Sequence, residues 1–216
     1  MLPMNPGFAD KPKKILLLGA HPDDIEIGCG GTVLRLLNEW QISEVTWVVF
    51  SGNTVRKREA QTSASAFLKR AKDKTVLIRN YRDGYFPYDG GKIKDVFEDL
   101  KKKVSPDIVF THYRDDRHQD HRVISDLTWN TYRNHFILEY EVPKYDGDLG
   151  SPNFFVHLND ATSREKGRLI VKHFASQQSK PWFSEDTFLA LARLRGVESG
   201  AEGNFAEGFY CRKSVI

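Results

Sequence analysis

The chain has 216 residues, 40% of them hydrophobic and 28% charged, and its formal net charge at pH 7 is only +3. This composition is typical of one soluble domain with a sizeable core, and it excludes the concentrated basic surface expected of a nucleic-acid-binding protein. Two cysteines, Cys29 and Cys211, are too few for a disulfide framework and favour a reducing, cytoplasmic compartment.

The N-terminal residues and the hydropathy pattern predict neither targeting nor membrane insertion. Residues 1–12 lack an apolar h-region and an arginine-rich amphipathic pattern, so we expect a loose leader. No run of about 18 apolar residues occurs, and no membrane span is therefore predicted. The pattern leaves the oligomeric state open, and a homo-oligomer is compatible with it.

Strands and helices alternate through the first half of the chain. Residues 14–19 (KILLLG) form a continuous apolar run, as in a parallel strand buried on both faces. Gly28, Gly30 and Gly31 are expected to supply the turn from this strand into a helix and to let that helix pack close to the site. The elements predicted in this half are strands at 14–19, 45–50, 75–78 and 107–111, and helices at 32–40, 56–71 and 92–104.

The second half continues the alternation. Ser184 is predicted to cap a helix with an acidic first turn, and glycines are expected to end that helix. The other predicted elements are a helix at 121–134 and strands at 137–142, 153–158 and 208–212. The loop at 143–152 is too short for a domain linker. We therefore predict a single α/β domain over residues 1–216, with a mostly parallel central sheet and helices on both faces.

Two polar clusters follow the first and fourth predicted strands. The stretch AHPDDIEIGCGGT carries His21, Asp23 and Asp24, and THYRDDRHQDHR carries His118 and His121. Ligands bind at the carboxyl ends of parallel strands, so both clusters are expected at one edge of the sheet. Catalytic zinc takes three His or carboxylate ligands and leaves a position for water, and His21, Asp24 and His121 can supply such a set.

The other polar residues of the clusters suit proton transfer. Asp23 adjoins the metal-binding pair and can take a proton from a water molecule whose pKa the metal lowers to about 7. His118 can donate a proton to a developing oxyanion or a leaving amine, and we expect Asp120 to orient its imidazole. His112 is expected to support the ligands rather than to bind the metal. Glu26 receives no role from the sequence.

Simpler interpretations of each fragment stay open at this point. His-Pro-Asp-Asp can be a polar turn whose aspartate caps a helix, and His-Gln-Asp-His can be the exposed start of a helix. Their occurrence together at two strand ends favours one site. The glycines do not match G-x-G-x-x-G, and no acidic residue ends the second strand, which disfavours a dinucleotide site. Cys29 is expected to be a small buried thiol.

The motif AHPDD-x-E-x-G-C-G-G-T, with HQDH about a hundred residues later, resembles the LmbE-like / PIG-L family of metal-dependent de-N-acetylases. The order of elements agrees with that family along the whole chain. The resemblance implies a Rossmann-like three-layer α/β sandwich. It also implies removal of acetyl from N-acetylglucosamine-type sugars carried on inositol, malate, lipid or other aglycones.

The same resemblance implies residue roles. Asp23 would be the general base, and His118, with Asp120, would stabilise the tetrahedral intermediate and assist departure of the amine. Arg56 and Glu59 match the family's Arg-x-x-Glu, in which the arginine reaches substrate hydroxyls, although Lys57 or Arg58 can also be the reaching residue. The zinc ligands that it implies are His21, Asp24 and His121. The AEGF stretch at 206–209 also resembles a family signature, without a role that we can derive.

The expected substrate is a small-molecule or glycoconjugate N-acetylated amino sugar, and the expected cofactor is Zn²⁺ or another divalent metal. Tyr85, Phe86 and Tyr88, in DGYFPYDG, can offer aromatic faces to a pyranose, and burial in the core is an equally good explanation for these rings. The alternatives to a sugar deacetylase are a non-catalytic carbohydrate- or metal-binding protein and a hydrolase of a non-sugar amide.

Overall fold

The computed structural model describes residues 11–215, so residues 1–10 of the expected leader lie outside the described part of the chain. The strands are β1 (Lys13–Gly19), β2 (Ile42–Ser51), β3 (Asp73–Tyr81), β4 (Ile108–His112), β5 (Phe136–Tyr140), β6 (Phe154–Leu158) and β7 (Phe205–Cys211). The helices are α1 (Asp24–Glu39), α2 (Thr54–Phe67), α3 (Gly90–Lys103), α4 (Gln119–Thr131), α5 (Asp160–His173) and α6 (Glu185–Ser199). Short 3-10 helices occupy Phe86–Tyr88 and Ala175–Gln177.

One seven-stranded sheet runs through the molecule in the order β3-β2-β1-β4-β5-β7-β6. The first five strands of that order pair in parallel, and β7 runs antiparallel to both β5 and β6. The predicted α/β class with a mostly parallel sheet is confirmed. The strand order reverses at β1, which lies between β2 and β4, and the crevice at such a reversal is the usual ligand site of parallel sheets.

The sheet lies between two layers of helices, and alternate side chains of β1 belong to different cores. Ile15 and Leu17 pack in the core beneath α1, α2 and α5, whereas Leu16 and Leu18 pack in the core beneath α3 and α4. This alternation explains why the run KILLLG is apolar throughout. Among residues 11–215, no helix is long and apolar enough to cross a membrane.

The predicted turn at the three glycines is wrong, because α1 begins at Asp24 and contains all of them. Their function is close packing of this helix. A Cβ on Gly28 would overlap the ring of Tyr140, and one on Gly30 would lie 2.7 Å from the Phe67 ring. The expectation that glycine lets this helix approach its neighbours is supported, but the boundary of the helix lies eight residues before the predicted one.

Helix α5 has no counterpart in the prediction, because its buried face is partly polar. Lys166 is buried on it, and its ammonium group donates to the Glu207 carboxylate and to the carbonyl oxygen of Ile27, at 2.6 Å each. The same carboxylate accepts from the N–H groups of Gly31 (2.9 Å) and Thr32 (2.6 Å). Glu207, in the AEGF stretch, therefore connects β7, α5 and the middle of α1 through a buried, hydrogen-bonded ion pair.

We expect Gly28→Ala to lower the free energy of unfolding by roughly 2–3 kcal/mol, because the new methyl group has no space. The Tyr140 ring that blocks it is fully buried, and its hydroxyl donates to the Leu18 carbonyl oxygen at 2.7 Å. Urea unfolding measures the change. Gly91→Ala in α3 is the control, because nothing lies within 4 Å of its Cβ position. Equal stabilities of the two variants would contradict this explanation of the glycines.

Candidate metal centre

The two predicted clusters meet at the carboxyl ends of β1 and β4, which are adjacent parallel strands with Leu17 opposite Phe110. His21 lies in the turn after β1, and Asp24 begins α1. His121 lies in the first turn of α4, after the loop that leaves β4. The sheet topology thus brings together residues about one hundred positions apart, as the sequence predicted.

Three ligand atoms of these residues form a nearly equilateral triangle. His21 Nδ1 lies 3.2 Å from His121 Nε2 and 3.4 Å from an Asp24 carboxylate oxygen, and that oxygen lies 3.5 Å from His121 Nε2. Ligand atoms around a tetrahedral zinc ion, with bonds of ~2.0–2.2 Å, are separated by about 3.3–3.6 Å. The triangle therefore has the dimensions that one such ion requires.

Each imidazole of the triangle has a carboxylate at its other nitrogen. His21 Nε2 lies 3.0 Å from Asp83 and 3.2 Å from Asp120. His121 Nδ1 lies 2.9 Å from Asp116. Such carboxylate partners orient metal-binding histidines and fix the tautomer that presents a lone pair to the ion. Neither Asp83 nor Asp116 was identified from the sequence.

Burial and the charges of neighbouring side chains set the pKa values of Asp24, His121 and His21. Burial alone would raise the pKa of Asp24, but the surrounding imidazoles, led by His121, hold it well below its ordinary value. Burial, assisted by the neighbouring His112, lowers the pKa of His121 to about 4, so this imidazole is neutral at pH 7. The carboxylates, led by that of Asp24, outweigh burial and raise the pKa of His21. A metal ion would displace that proton.

His112 contacts two residues of the triangle, Asp24 and His121. Its Nε2 accepts the N–H of Ala20 at 2.9 Å and lies 3.2 Å from Asp24, and its ring stacks on that of His121 with centroids 3.9 Å apart. The lone pair that could bind a metal is thus engaged by the backbone. This position agrees with the supporting role expected for His112, although Asp24, His112 and His121 also lie close enough together to be considered as a metal-binding group.

Asp23 lies beside the triangle in a strained backbone conformation. Its φ of 97° is left-handed, which aspartate tolerates better than most residues. A carboxylate oxygen lies 3.0 Å from Arg56 Nη2, and the same guanidinium donates to the carbonyl oxygen of Pro22. Burial raises the pKa of Asp23 to about 7, with Arg56 opposing the rise. A carboxylate with this pKa is suited to accept a proton near neutral pH.

The expected hydrogen bond between the Asp120 carboxylate and the His118 imidazole is not formed. The Asp120 carboxylate instead accepts from the N–H groups of Gly84 (2.7 Å) and Phe86 (3.1 Å), besides contacting His21. His118 caps α4, and its Nδ1 accepts the backbone N–H of Asp120 at 3.2 Å. This places the His118 proton on Nε2. Asp120 therefore positions His21 and the loop after β3, rather than His118.

A cleft of about 1290 Å³ opens beside the triangle, lined by His21, by the start of α2 and by the segment after β3. Arg56 lines it, as expected of a substrate-binding residue. Tyr85 and Tyr88 do not, and they are exposed by 40% and 81%. The buried ring of this segment is that of Phe86. The predicted contact of the two tyrosines with substrate therefore has no direct support in the geometry of the cleft.

Glu26 is a buried residue in the first turn of α1, two positions after Asp24. Its side chain is 1% exposed, and within residues 11–215 neither carboxylate oxygen has a hydrogen-bond partner. Burial raises its pKa to about 8, although the nearby Ser63 hydroxyl opposes the rise. The residue left unassigned from sequence is thus a carboxyl group that stays protonated at neutral pH. Cys29, on the same helix, is the buried thiol that was expected.

A protein family and an individual relative both match the sequence of this chain. The family described as "PIG-L: GlcNAc-PI de-N-acetylase" matches residues 16–132, which contain every predicted catalytic and metal-binding residue. A relative, the uncharacterized deacetylase YaiS of Escherichia coli (strain K12), is 32% identical over 146 residues, covering 62% of this chain and 77% of the relative.

Two solved structures share the fold. The conserved protein TT1542 from Thermus thermophilus superposes with a TM-score of 0.73 at 20% identity, covering 94% of this chain and 96% of the other. The N,N'-diacetylchitobiose deacetylase from Pyrococcus horikoshii gives 0.71 at 24% identity, covering 95% and 86%. The resemblance found in the motifs is therefore confirmed, and so is the three-layer fold that it implied.

We expect Glu26→Gln to become more stable than the unmodified protein as the pH rises from 5 to 8. A pKa near 8 in the folded state and near 4.5 in the unfolded state makes the folded protein bind the extra proton in this window, so its stability falls with increasing pH. Glutamine imitates the protonated group and removes this loss, by roughly 2–4 kcal/mol at pH 8. Urea unfolding at pH 5, 6.5 and 8 measures the difference.

The exposed Glu165→Gln is the matched control, and we expect its stability to follow that of the unmodified protein throughout. A difference between Glu26→Gln and the unmodified protein that does not change with pH would contradict the protonated state of Glu26.

Proposed function

The chain belongs to the PIG-L family, and we propose that it is a zinc-dependent hydrolase that removes the acetyl group from an N-acetylated amino sugar. The observation that carries this proposal is the triangle of His21 Nδ1, an Asp24 oxygen and His121 Nε2, with sides of 3.2–3.5 Å. Family membership supports the deacetylase activity, and the triangle supports the metal.

His21, Asp24 and His121 would hold the ion, since they provide two imidazole nitrogens and one carboxylate oxygen at separations that suit tetrahedral zinc. Their donor set also accommodates other divalent ions, and the nitrogen-rich composition favours zinc over magnesium or calcium. When bound, the ion polarises the amide carbonyl and lowers the pKa of a water molecule.

Asp23 acts as the general base in this proposal. Its carboxylate takes a proton from water while the water oxygen bonds to the amide carbon, and its pKa near 7 suits this transfer. Arg56 holds the carboxylate in place from the cleft side. The left-handed backbone of Asp23 represents strain placed at the site.

His118 is the second catalytic residue of the proposal. Because its Nδ1 accepts a backbone N–H, the Nε2–H group is available to donate to the developing oxyanion. Burial lowers the pKa of His118, so it donates as a neutral imidazole. The C–N bond then breaks, and the proton taken by Asp23 is delivered to the departing amine. Asp120 acts indirectly, by fixing His21.

The sugar class is proposed from two sources. The family is described by a GlcNAc conjugate, and the Pyrococcus horikoshii enzyme is named for N,N'-diacetylchitobiose. The cleft of about 1290 Å³ is large enough for an amino sugar and part of its aglycone. The cytoplasmic location and the homo-oligomer stay predictions.

We expect Asp23→Asn to retain the metal and lose turnover by about 10²–10⁴-fold, since asparagine keeps the shape and tolerates the left-handed backbone but cannot accept the proton. Acetate release from an N-acetylglucosaminide and zinc content by elemental analysis are measured together. Normal turnover in this variant would refute the role of Asp23 as the base.

We expect His121→Ala to lose the bound metal, because one corner of the ligand triangle is removed. Zinc content per chain, measured after dialysis against metal-free buffer, should fall from about one to near zero. His157→Ala is the control, because His157 is exposed on β6, and it should keep the metal. Unchanged zinc in His121→Ala would disprove ligation by this residue.

A panel of N-acetylglucosamine conjugates and acyl-amino acids tests the reaction itself. We expect acetate release from the sugars and little from the amino acids. Release from acyl-amino acids alone would indicate a non-sugar amide substrate, and tight binding without release from any compound would indicate a binding protein.

A further inference from the structure

The loop between β5 and β6 places one buried cation next to the metal centre, and the proposed reaction does not use it. Lys144 lies near the start of this loop, and its side chain is only 12% exposed. Its ammonium group donates to the Asp116 carboxylate at 2.9 Å, to the Asp148 carboxylate at 2.7 Å and to the carbonyl oxygen of Val142 at 3.3 Å. An ammonium group has three N–H donors, so these contacts use all of them.

The Asp116 carboxylate that Lys144 contacts also binds two residues of the proposed site. One of its oxygens accepts from His121 Nδ1 at 2.9 Å, and the other accepts the backbone N–H of His118 at 2.7 Å. In the proposed reaction His121 is a metal ligand and His118 donates to the developing oxyanion. A single carboxylate therefore contacts both residues, and a group that fixes this carboxylate acts on both.

The Asp116 carboxylate is removed from water and needs a compensating charge. Its side chain is 2% exposed. A metal-binding imidazole is neutral, so the hydrogen bond from His121 does not balance the charge of the carboxylate. The ion pair with Lys144, at 2.9 Å, supplies the opposite charge. A buried carboxylate that loses such a partner is expected to move towards water or towards another donor, and this movement would displace His121.

The loop that carries Lys144 is fixed at two further points. Asp148 accepts the backbone N–H of Arg117 at 2.7 Å, which joins the loop to the segment after β4. Near the end of the loop, the carbonyl oxygen of Gly150 accepts from the Arg195 guanidinium of α6 at 3.0 Å. The ammonium group of Lys144 therefore has a defined position beside Asp116.

Lys144 has no direct contact with the cleft proposed to bind the substrate. The cleft is lined by His21, by the start of α2, by the segment after β3 and by residues 176 and 177. Because Lys144 is not among the lining residues and all its donors bind acceptors of the protein, it acts on the site through Asp116.

We propose that Lys144 is a positioning residue of the metal centre. It holds the Asp116 carboxylate so that His121 presents its Nε2 lone pair to the ion and His118 stays in place to donate to the oxyanion. The inference rests on the proposed metal-dependent function, and it adds a residue that touches neither the metal nor the substrate.

Lys144→Met tests the proposal, because methionine keeps most of the length of the side chain and removes its charge and its donors. Zinc affinity is measured by competition between the zinc-loaded protein and a chelator. We expect a loss of about 5–20-fold, since removal of a carboxylate partner weakens metal binding by about 10–100-fold and Lys144 acts one contact farther away. A purely electrostatic effect has the opposite sign, because the loss of a nearby cation favours binding of another cation. Unchanged or tighter zinc binding would overturn the proposal.

A double-mutant cycle tests whether Lys144 acts through Asp116. Asp116→Asn alone should weaken zinc binding by about 10–100-fold. Adding Lys144→Met to this variant should cause less than about a twofold further loss, because the carboxylate that the lysine holds is already gone. Losses that multiply independently would contradict the proposed route.

Two control variants separate positioning from general effects of charge and stability. Lys101→Met removes a charge from the exposed end of α3, and Val96→Ala weakens the core beneath the same helix. Both should keep the zinc affinity of the unmodified protein, and urea unfolding shows how far each variant is destabilised. A loss of affinity in Val96→Ala that equals the loss in Lys144→Met at equal stability would overturn the proposal.

Asp148→Asn replaces Lys144→Met if the latter does not fold. It weakens the contact that holds the ammonium group from the loop side, because a neutral amide binds a cation less strongly than a carboxylate does. Zinc affinity should then fall at least about twofold. Affinity equal to that of the unmodified protein would overturn the proposal in this variant as well.

Kinetics at saturating zinc add a readout that general destabilisation does not produce. On an N-acetylglucosaminide, we expect Lys144→Met to lower kcat by about 3–10-fold and to leave KM within about twofold, because the lysine orients reacting groups and does not contact the cleft. A rise of KM without a change of kcat would indicate contact with the substrate and would overturn the positioning role.

The zinc and acetate measurements together separate this inference from the deacetylase function. Weaker zinc binding in Lys144→Met, with no acetate release by the unmodified protein, would retain the positioning role and refute the reaction. Acetate release by the unmodified protein, with equal zinc affinity in the two proteins, would retain the reaction and refute the positioning role. Absence of zinc binding by the unmodified protein would refute both.

Discussion

The Asp24 carboxylate is removed from water at the carboxyl end of β1, and the arrangement of the site depends on balancing its charge. Burial favours the neutral carboxyl group, yet the imidazoles around Asp24 hold its pKa well below the ordinary value. An uncompensated buried charge lowers the stability of the folded protein by several kcal/mol, so the imidazoles must lie close to the carboxylate. The carboxylates of Asp116 and Asp120 in turn orient the imidazoles of His121 and His21. A divalent cation inside this arrangement would replace protons as the compensating charge.

The position of Asp24 depends on how closely α1 approaches the sheet and its neighbouring helices. Gly28 leaves room for the Tyr140 ring, and that ring reaches the end of β1 through its hydroxyl group. The pair formed by Lys166 and Glu207 holds the middle of the same helix, through the N–H groups of residues 31 and 32 and the carbonyl oxygen of Ile27. Close packing and a buried ion pair therefore fix α1 against the sheet, and with it the first turn that carries Asp24.

Hydrophobic periodicity and motifs predicted those elements whose apolar pattern matches their burial in the fold. The apolar run at 14–19 predicted β1, and the positions of both polar clusters directly after strands predicted that they lie at the same edge of the sheet. The start of α1 was missed because buried Asp24, Glu26 and three glycines interrupt the apolar pattern of its first two turns. Helix α5 was missed for a related reason, since a lysine such as Lys166 is typical of a surface position and its burial depends on Glu207 beside it.

The partners of the site were the least predictable features. Sequence proximity paired Asp120 with His118, whereas the fold brings the loop after β3 to the Asp120 carboxylate and turns this group toward His21. Asp83 lies on the same loop and contacts His21. The contact of Asp116 with His121 could not be predicted, because Asp116 is one of several consecutive charged residues in the loop after β4. Such contacts depend on where loops from different strands meet, which no local pattern encodes.

Anomalous diffraction from crystals of the zinc-loaded protein, recorded on both sides of the zinc absorption edge, tests whether His21, Asp24 and His121 bind the metal. We expect one strong peak at ~2.0–2.2 Å from His21 Nδ1, Asp24 and His121 Nε2. A peak instead at the group formed by His21, Asp83 and Asp120, or one bound by His112, would contradict it.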